Sequence, residues 1–113
     1  MALATFIHEG RSIDYTPGSD VAAGDVVVQG ELVGIAKLDI KANTLGALAV
    51  AGVFDIAKAT GGGTAITAGA LVYWNAGAAQ ATTNAAAGAN KLLGKTVAAA
   101  GDGDATVRVR LSQ

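Results

Sequence analysis

At 113 residues the chain has the length of one domain, and its net charge of −1 with only 15% charged residues leaves no basic surplus for a dedicated nucleic-acid binder. It contains no cysteine, which excludes disulfides and thiolate metal sites. Hydrophobic residues reach 51%, but 26 of them are Ala and 26 are Val, Ile or Leu, with aromatics at 4%. Ala buries little area, whereas a fully buried Val, Leu or Ile supplies about 1.5–3 kcal/mol. The predicted core is therefore thin, and a thin core with 16 Gly implies that subunit or partner contacts add stability.

The first residues, MALATFIHEGRS, carry neither a charged lead nor a long apolar centre, so no signal peptide is expected. The longest apolar run, residues 45–54, is too short to span a bilayer. Residues 5–7 and 12–15 read as strands around a turn at Glu9, Gly10 and Arg11, with Ile13 and Tyr15 on one face. Thr16-Pro17-Gly18-Ser19-Asp20 is a turn, since Pro fixes φ and Gly permits positive φ.

The stretch VAAGDVVVQGELVGIAK (21–37) predicts a turn, a β-branched strand at Val26, Val27 and Val28 covered on both faces, a turn at Gly30, and a partner strand with Gly34 inside it. A glycine inside a strand marks a bulge or a close backbone approach. Residues 47–56 are expected to form one further strand, bulged at Gly52. The Gly61-Gly62-Gly63 run reads as a flexible loop.

A weaker copy of the pattern follows. AGALVY (68–73) aligns with AGDVVV (23–28), KLLGKT (91–96) with ELVGIA (31–36), and residues 104–111 loosely with 46–53. The chain thus reads as a single domain, 1–113, with a pseudo-repeat of 21–59 and 66–112 joined by the Gly-rich loop 60–65. The second unit carries an insert, residues 76–90, for which an extended or mobile loop with at most one helical turn is expected. The last strand is the clearest: Val107, Val109 and Leu111 point one way, while Thr106, Arg108, Arg110 and Ser112 point the other. The fold class is all-β with little or no helix, a small β-barrel or β-clip-like body or a jelly-roll-like sandwich.

Catalytic chemistry is nearly absent. Gly94-Lys95-Thr96 resembles the end of a phosphate loop, but Ala89 stands where its first Gly belongs. A strand glycine followed by an exposed lysine is the better reading. Asp102-Gly103-Asp104 has too few ligands for a calcium loop and reads as a turn before the last strand. His8, the sole histidine, has no neighbouring ligands and is placed at a sheet edge or interface. Tyr73-Trp74 would suit a stacking platform for a base or sugar; core or subunit interface is the preferred assignment. Arg108 and Arg110, on one strand face, would meet acidic groups of a partner, or else form a solvated face that discourages edge pairing. No catalytic, cofactor-binding or metal-binding residue is expected.

Three runs are distinctive: IDYTPGSDVAAGDVVV (13–28), LVGIAK (32–37) and LGALAVAGVFDIAK (45–58). With the ending NKLLGKTVAAAGDGDATVRVRL they give the chain, over nearly its whole length, a close resemblance to phage and prophage capsid cement, or head decoration, proteins. Proteins of this kind often carry a recombinase label, which the incomplete phosphate loop does not support. The chain is also similar, more distantly, to the lambdoid head-decoration protein, a β-clip-like trimer. The resemblance implies a non-enzymatic virion protein without cofactor. It would sit on the outer capsid surface, cement neighbouring major-capsid subunits, and be made in the bacterial cytoplasm. The implied partners are the major capsid protein and further copies of the chain, as a trimer first and a dimer second, with no nucleic acid and no membrane. The expected contact residues are Phe6, His8, Tyr73, Trp74, Arg108 and Arg110. The alternatives are a carbohydrate- or host-surface-binding module using Tyr73 and Trp74, and an ATP-dependent recombination factor resting on Lys95.

Overall fold

A computed structural model describes residues 3–7 and 10–112. Nine strands make two antiparallel sheets: β1 (Ser12–Tyr15), β2 (Val26–Gln29), β3 (Leu32–Ile35), β4 (Gly46–Ala49), β5 (Gly52–Ala57), β6 (Leu71–Asn75), β7 (Gln80–Thr82), β8 (Lys91–Thr96) and β9 (Thr106–Leu111). The first sheet has the order β1-β4-β3-β2 and the second β5-β9-β8-β6-β7. The class is all-β, and the two sheets do not close into a barrel; the arrangement is compatible with a sandwich.

The two sheets are held by the same local bonds. Val21 and Ile40 exchange both backbone hydrogen bonds at 2.8 Å, as do Ile66 and Ala100. Gly24 N–H donates to the Ala36 carbonyl and Gly69 N–H to that of Thr96. Gly24 has φ +92° and Gly69 φ +77°, a conformation that glycine adopts without steric cost.

Between the sheets the chain turns sharply. The expected single strand at 47–56 is two strands, β4 in one sheet and β5 in the other, because Gly52 takes φ +119° and redirects the backbone. The crossing from sheet to sheet is therefore at residues 50–52. The Gly-rich loop 60–65 instead joins β5 to β6 within the second sheet, and it is pinned rather than free. Thr64 and Ala65 N–H both donate to the Asp102 carboxylate, at 3.1 and 2.8 Å, and Gly61 N–H donates to the Asp102 carbonyl.

Other expectations also change. Residues 5–7 form no strand, since the ladder partner of β1 is β4. Val26, Val27 and Val28 lie on an edge strand; Val26 leans on the main core and Val27 on the smaller one, while Val28 is exposed. The insert contributes a strand of its own, β7, whose Ala81 is buried in the main core. Its buried position is held by Ala, so the alternation in Gln80-Ala81-Thr82 gives little hydrophobic signal. A short 3₁₀ turn, Ala86–Gly88, follows.

The main core joins both sheets: Val33 and Ile35 of β3 pack with Val72, Leu93, Val107, Val109 and Leu111 of the second. A smaller cluster, Ala36, Ile40 and Leu48, serves the first sheet alone. No aromatic side chain is among the largest fully buried ones. The radius of gyration, 15.1 Å, exceeds the roughly 13 Å of a compact domain of this length. The molecule is elongated, 52 × 36 × 25 Å, as a thin core requires.

Strand glycines permit the closest contacts. A Cβ on Gly34 would lie 2.8 Å from Leu48 Cβ, and one on Gly94 would overlap the Arg110 carbonyl oxygen and approach Ser112 N to 2.8 Å. Gly94 neighbours a register shift between Val72 and Tyr73, so it combines the bulge and the close approach. Substituting Gly94→Ala is expected to destabilise the protein by at least about 2 kcal/mol, because the obstructing atoms are backbone. Gly62→Ala, at a site with nothing within 4 Å, should stay within about 0.5 kcal/mol. Urea unfolding midpoints of the two variants check both.

Candidate interaction surface

The alternation of β9 splits its side chains as the sequence implies. Val107, Val109 and Leu111 are buried; Thr106, Arg108 and Arg110 are exposed. The outward residues of neighbouring strands line up with them. Leu71 of β6 pairs with Lys95 of β8, Lys95 with Arg110 of β9, and Arg110 with Val53 of β5. This row crosses four strands and all four side chains are exposed.

The next row differs in charge. Arg108 faces Asp55 across β9 and β5, and its guanidinium donates through Nε at 2.9 Å and Nη2 at 3.1 Å to the two carboxylate oxygens. This forked geometry holds the Asp55 carboxyl below its usual range, chiefly through the Arg108 hydrogen bonds, and raises the Arg108 pKa in turn. Lys95 and Arg110, by contrast, have no ion-pair partner among the described residues. Two like charges directly opposite on neighbouring strands repel one another. Their favourable environments are water or an acidic surface.

The other expected contact residues are scattered. Trp74 is half-buried and packs on the main core, whereas Tyr73, also half-buried, lies beside Glu31, Lys91 and Leu92. The pair does not form one exposed platform. Phe6 is exposed on an unpaired segment together with Leu3 and Ile7. His8 lies outside the described residues. Lys95 lies within β8, next to its last residue, so Gly94-Lys95-Thr96 is strand and not a phosphate-wrapping loop. The Asp102 carboxylate accepts from the 64–65 amides and that of Asp104 from Gly101 N–H at 2.8 Å, so both fasten loops.

Two features escaped the residue pattern. Leu38 and Leu45, 77% and 70% exposed, flank a groove of about 330 Å³ at the first sheet. Lys58 is buried, at 4% exposure, beside a cavity lined by polar side chains. Its signal was available: Phe54 and Ile56 share the inward face of β5, and simple alternation carried one step past the strand reaches Lys58.

The family model described as phage cement protein matches residues 7–111. The chain belongs to the phage cement protein family. Members of this family are structural proteins of the phage capsid, so this chain is a virion component associated with the capsid and its family is not one of enzymes. No curated protein and no solved structure matches the chain.

The ion pair gives a pH signature. Because the folded Asp55 carboxyl titrates lower than the unfolded one, its stabilisation is present above the unfolded pKa of about 3.9 and is lost as pH falls through the folded value. The melting-temperature difference between the natural protein and Asp55→Asn should be positive and constant above about pH 5, then shrink to nothing in stronger acid. Thermal melts across that range check it; a difference that grows in acid would contradict the sign.

Proposed function

We propose that the protein binds the outer surface of the assembled head and cements neighbouring major-capsid subunits through the outward face of its second sheet. The observation that carries this reading is the Leu71, Lys95, Arg110 and Val53 row, a cationic strip with apolar ends and no carboxylate of its own. Such a strip complements an acidic protein surface, and charge complementarity of this kind sets encounter rate and register. Family membership supplies the capsid as the setting.

The same reading makes the working unit a homo-oligomer, a trimer at local three-fold axes in preference to a dimer. Support comes from the elongated shape and the thin core. Several modest contacts made together give high effective affinity without a large interface per copy. The chain is read as one domain of two similar units, which the matching bonds of Val21 with Ile40 and of Ile66 with Ala100 support. Phe6, His8, Tyr73 and Trp74 are secondary contacts in this proposal. Synthesis in the host cytoplasm follows from the same assembly route.

Heads lacking the protein, mixed with the purified chain and then heated, should bind it and resist disruption. Lys95→Glu with Arg110→Glu should weaken binding at least about tenfold, with a loss of salt dependence, while Lys41→Glu in the loop between β3 and β4 should change it less than about twofold. Sedimentation of decorated heads measures this. Unchanged binding by the double variant would remove the face from the proposal, and absence of protection would remove the cementing role.

A further inference from the structure

The ammonium of Lys58 is the most unusual charge in the molecule. Lys58 follows β5 and bridges Ala81 at the end of the second sheet, with its backbone N–H bonded to the Ala105 carbonyl at 2.9 Å. The residue is 4% exposed. Its Nζ makes one protein hydrogen bond, to the Ala59 carbonyl at 2.7 Å, although an ammonium offers three donors. The ion pairs among the described residues are Lys91 with Glu31 and Arg108 with Asp55, so Lys58 has no carboxylate partner there. Burial of a cation without a counter-ion is unfavourable, and buried charges are paired as a rule.

Beside this ammonium lies a cavity of about 170 Å³. Its wall includes Lys58, Thr64, Asn75, Gln80, Thr82 and Thr83. The Thr82 hydroxyl oxygen accepts from Asn84 N–H at 3.2 Å, which leaves its proton free to donate. The Gln80 amide and the Thr83 hydroxyl make no protein hydrogen bond among the described residues. Spare donors of two kinds, one amide and two hydroxyls, therefore share the cavity wall with the Lys58 ammonium.

We propose that this cavity is a binding site for a single carboxylate group. One formal positive charge matches a monoanion, and a phosphate dianion would bring in surplus charge at a site with no second cation. Amide and hydroxyl donors suit the remaining lone pairs of the two carboxylate oxygens. The volume accepts one acidic side chain or one small free carboxylate, and these two sources share the same chemistry. The site does not depend on the capsid reading, and its test needs no heads.

The test uses the full-length, ¹⁵N-labelled protein, titrated with sodium acetate and separately with the capped tripeptide Ac-Gly-Glu-Gly-NH₂, each against sodium chloride at equal ionic strength. The Ala59, Thr64, Ala81 and Thr82 amides should shift saturably with a carboxylate and not with chloride. Saturation by the peptide at a tenfold lower concentration than by acetate identifies an acidic side chain as the natural occupant; saturation by acetate alone identifies a free carboxylate. Lys58→Met should abolish saturation. Gln80→Leu, which keeps the ammonium, should weaken acetate binding three- to tenfold and serves if Lys58→Met does not fold. Shifts equal to those in chloride would overturn the proposal, as would saturation unchanged by either substitution.

Discussion

The passage of Gly94 against the Arg110 carbonyl is the contact on which most of the structure depends. β8 pairs with β6 on one side and β9 on the other, and β3 of the first sheet packs against it. Any side chain at Gly94 would push β9 away from β8. β9 carries three buried residues of the main core, and its outward Arg110 joins Lys95 in the cationic row. Core and surface are thus placed by one close backbone approach. Gly34 has the corresponding position in β3, where a Cβ would lie 2.8 Å from Leu48 Cβ, an atom held in place by its own backbone.

Ala-rich composition shapes everything else. Where a chain supplies Val and Leu sparingly, it can fill only a narrow seam, and that seam runs along β3, β8 and β9. The first sheet keeps a small cluster of its own, in which Ile40 fills the space beside Gly46 so closely that a Cβ there would come within 2.7 Å of it. Loops gain their order from aspartates: Asp20, Asp25, Asp39 and Asp102 each accept from a backbone N–H.

The candidate surface was only half legible. Arg108 and Arg110 were readable as a strand face, because alternation needs no partner to be seen. That Arg108 is neutralised by Asp55 while Arg110 is not depends on which strand lies alongside, and β5 is more than fifty residues away in the chain. Lys95 entered the sequence reading as the end of a weak phosphate loop; only pairing with β9 puts it next to Arg110. Tyr73 and Trp74 are adjacent in sequence yet differ in their surroundings, since successive strand residues point to opposite faces.

The sequence by itself determined the strand class, the inward face of the last strand, the need for glycine at Gly34 and Gly94, and the family. Each is a local property, written in alternation, glycine placement or run identity. Tertiary structure alone decided that residues 46–57 divide between two sheets, that the insert supplies β7, that the Gly-rich loop is fastened by Asp102, and that Lys58 is enclosed with no carboxylate partner among the described residues. The reason is common to all four: each depends on what a distant segment places within a few ångströms, and neither propensity nor periodicity encodes the identity of that neighbour.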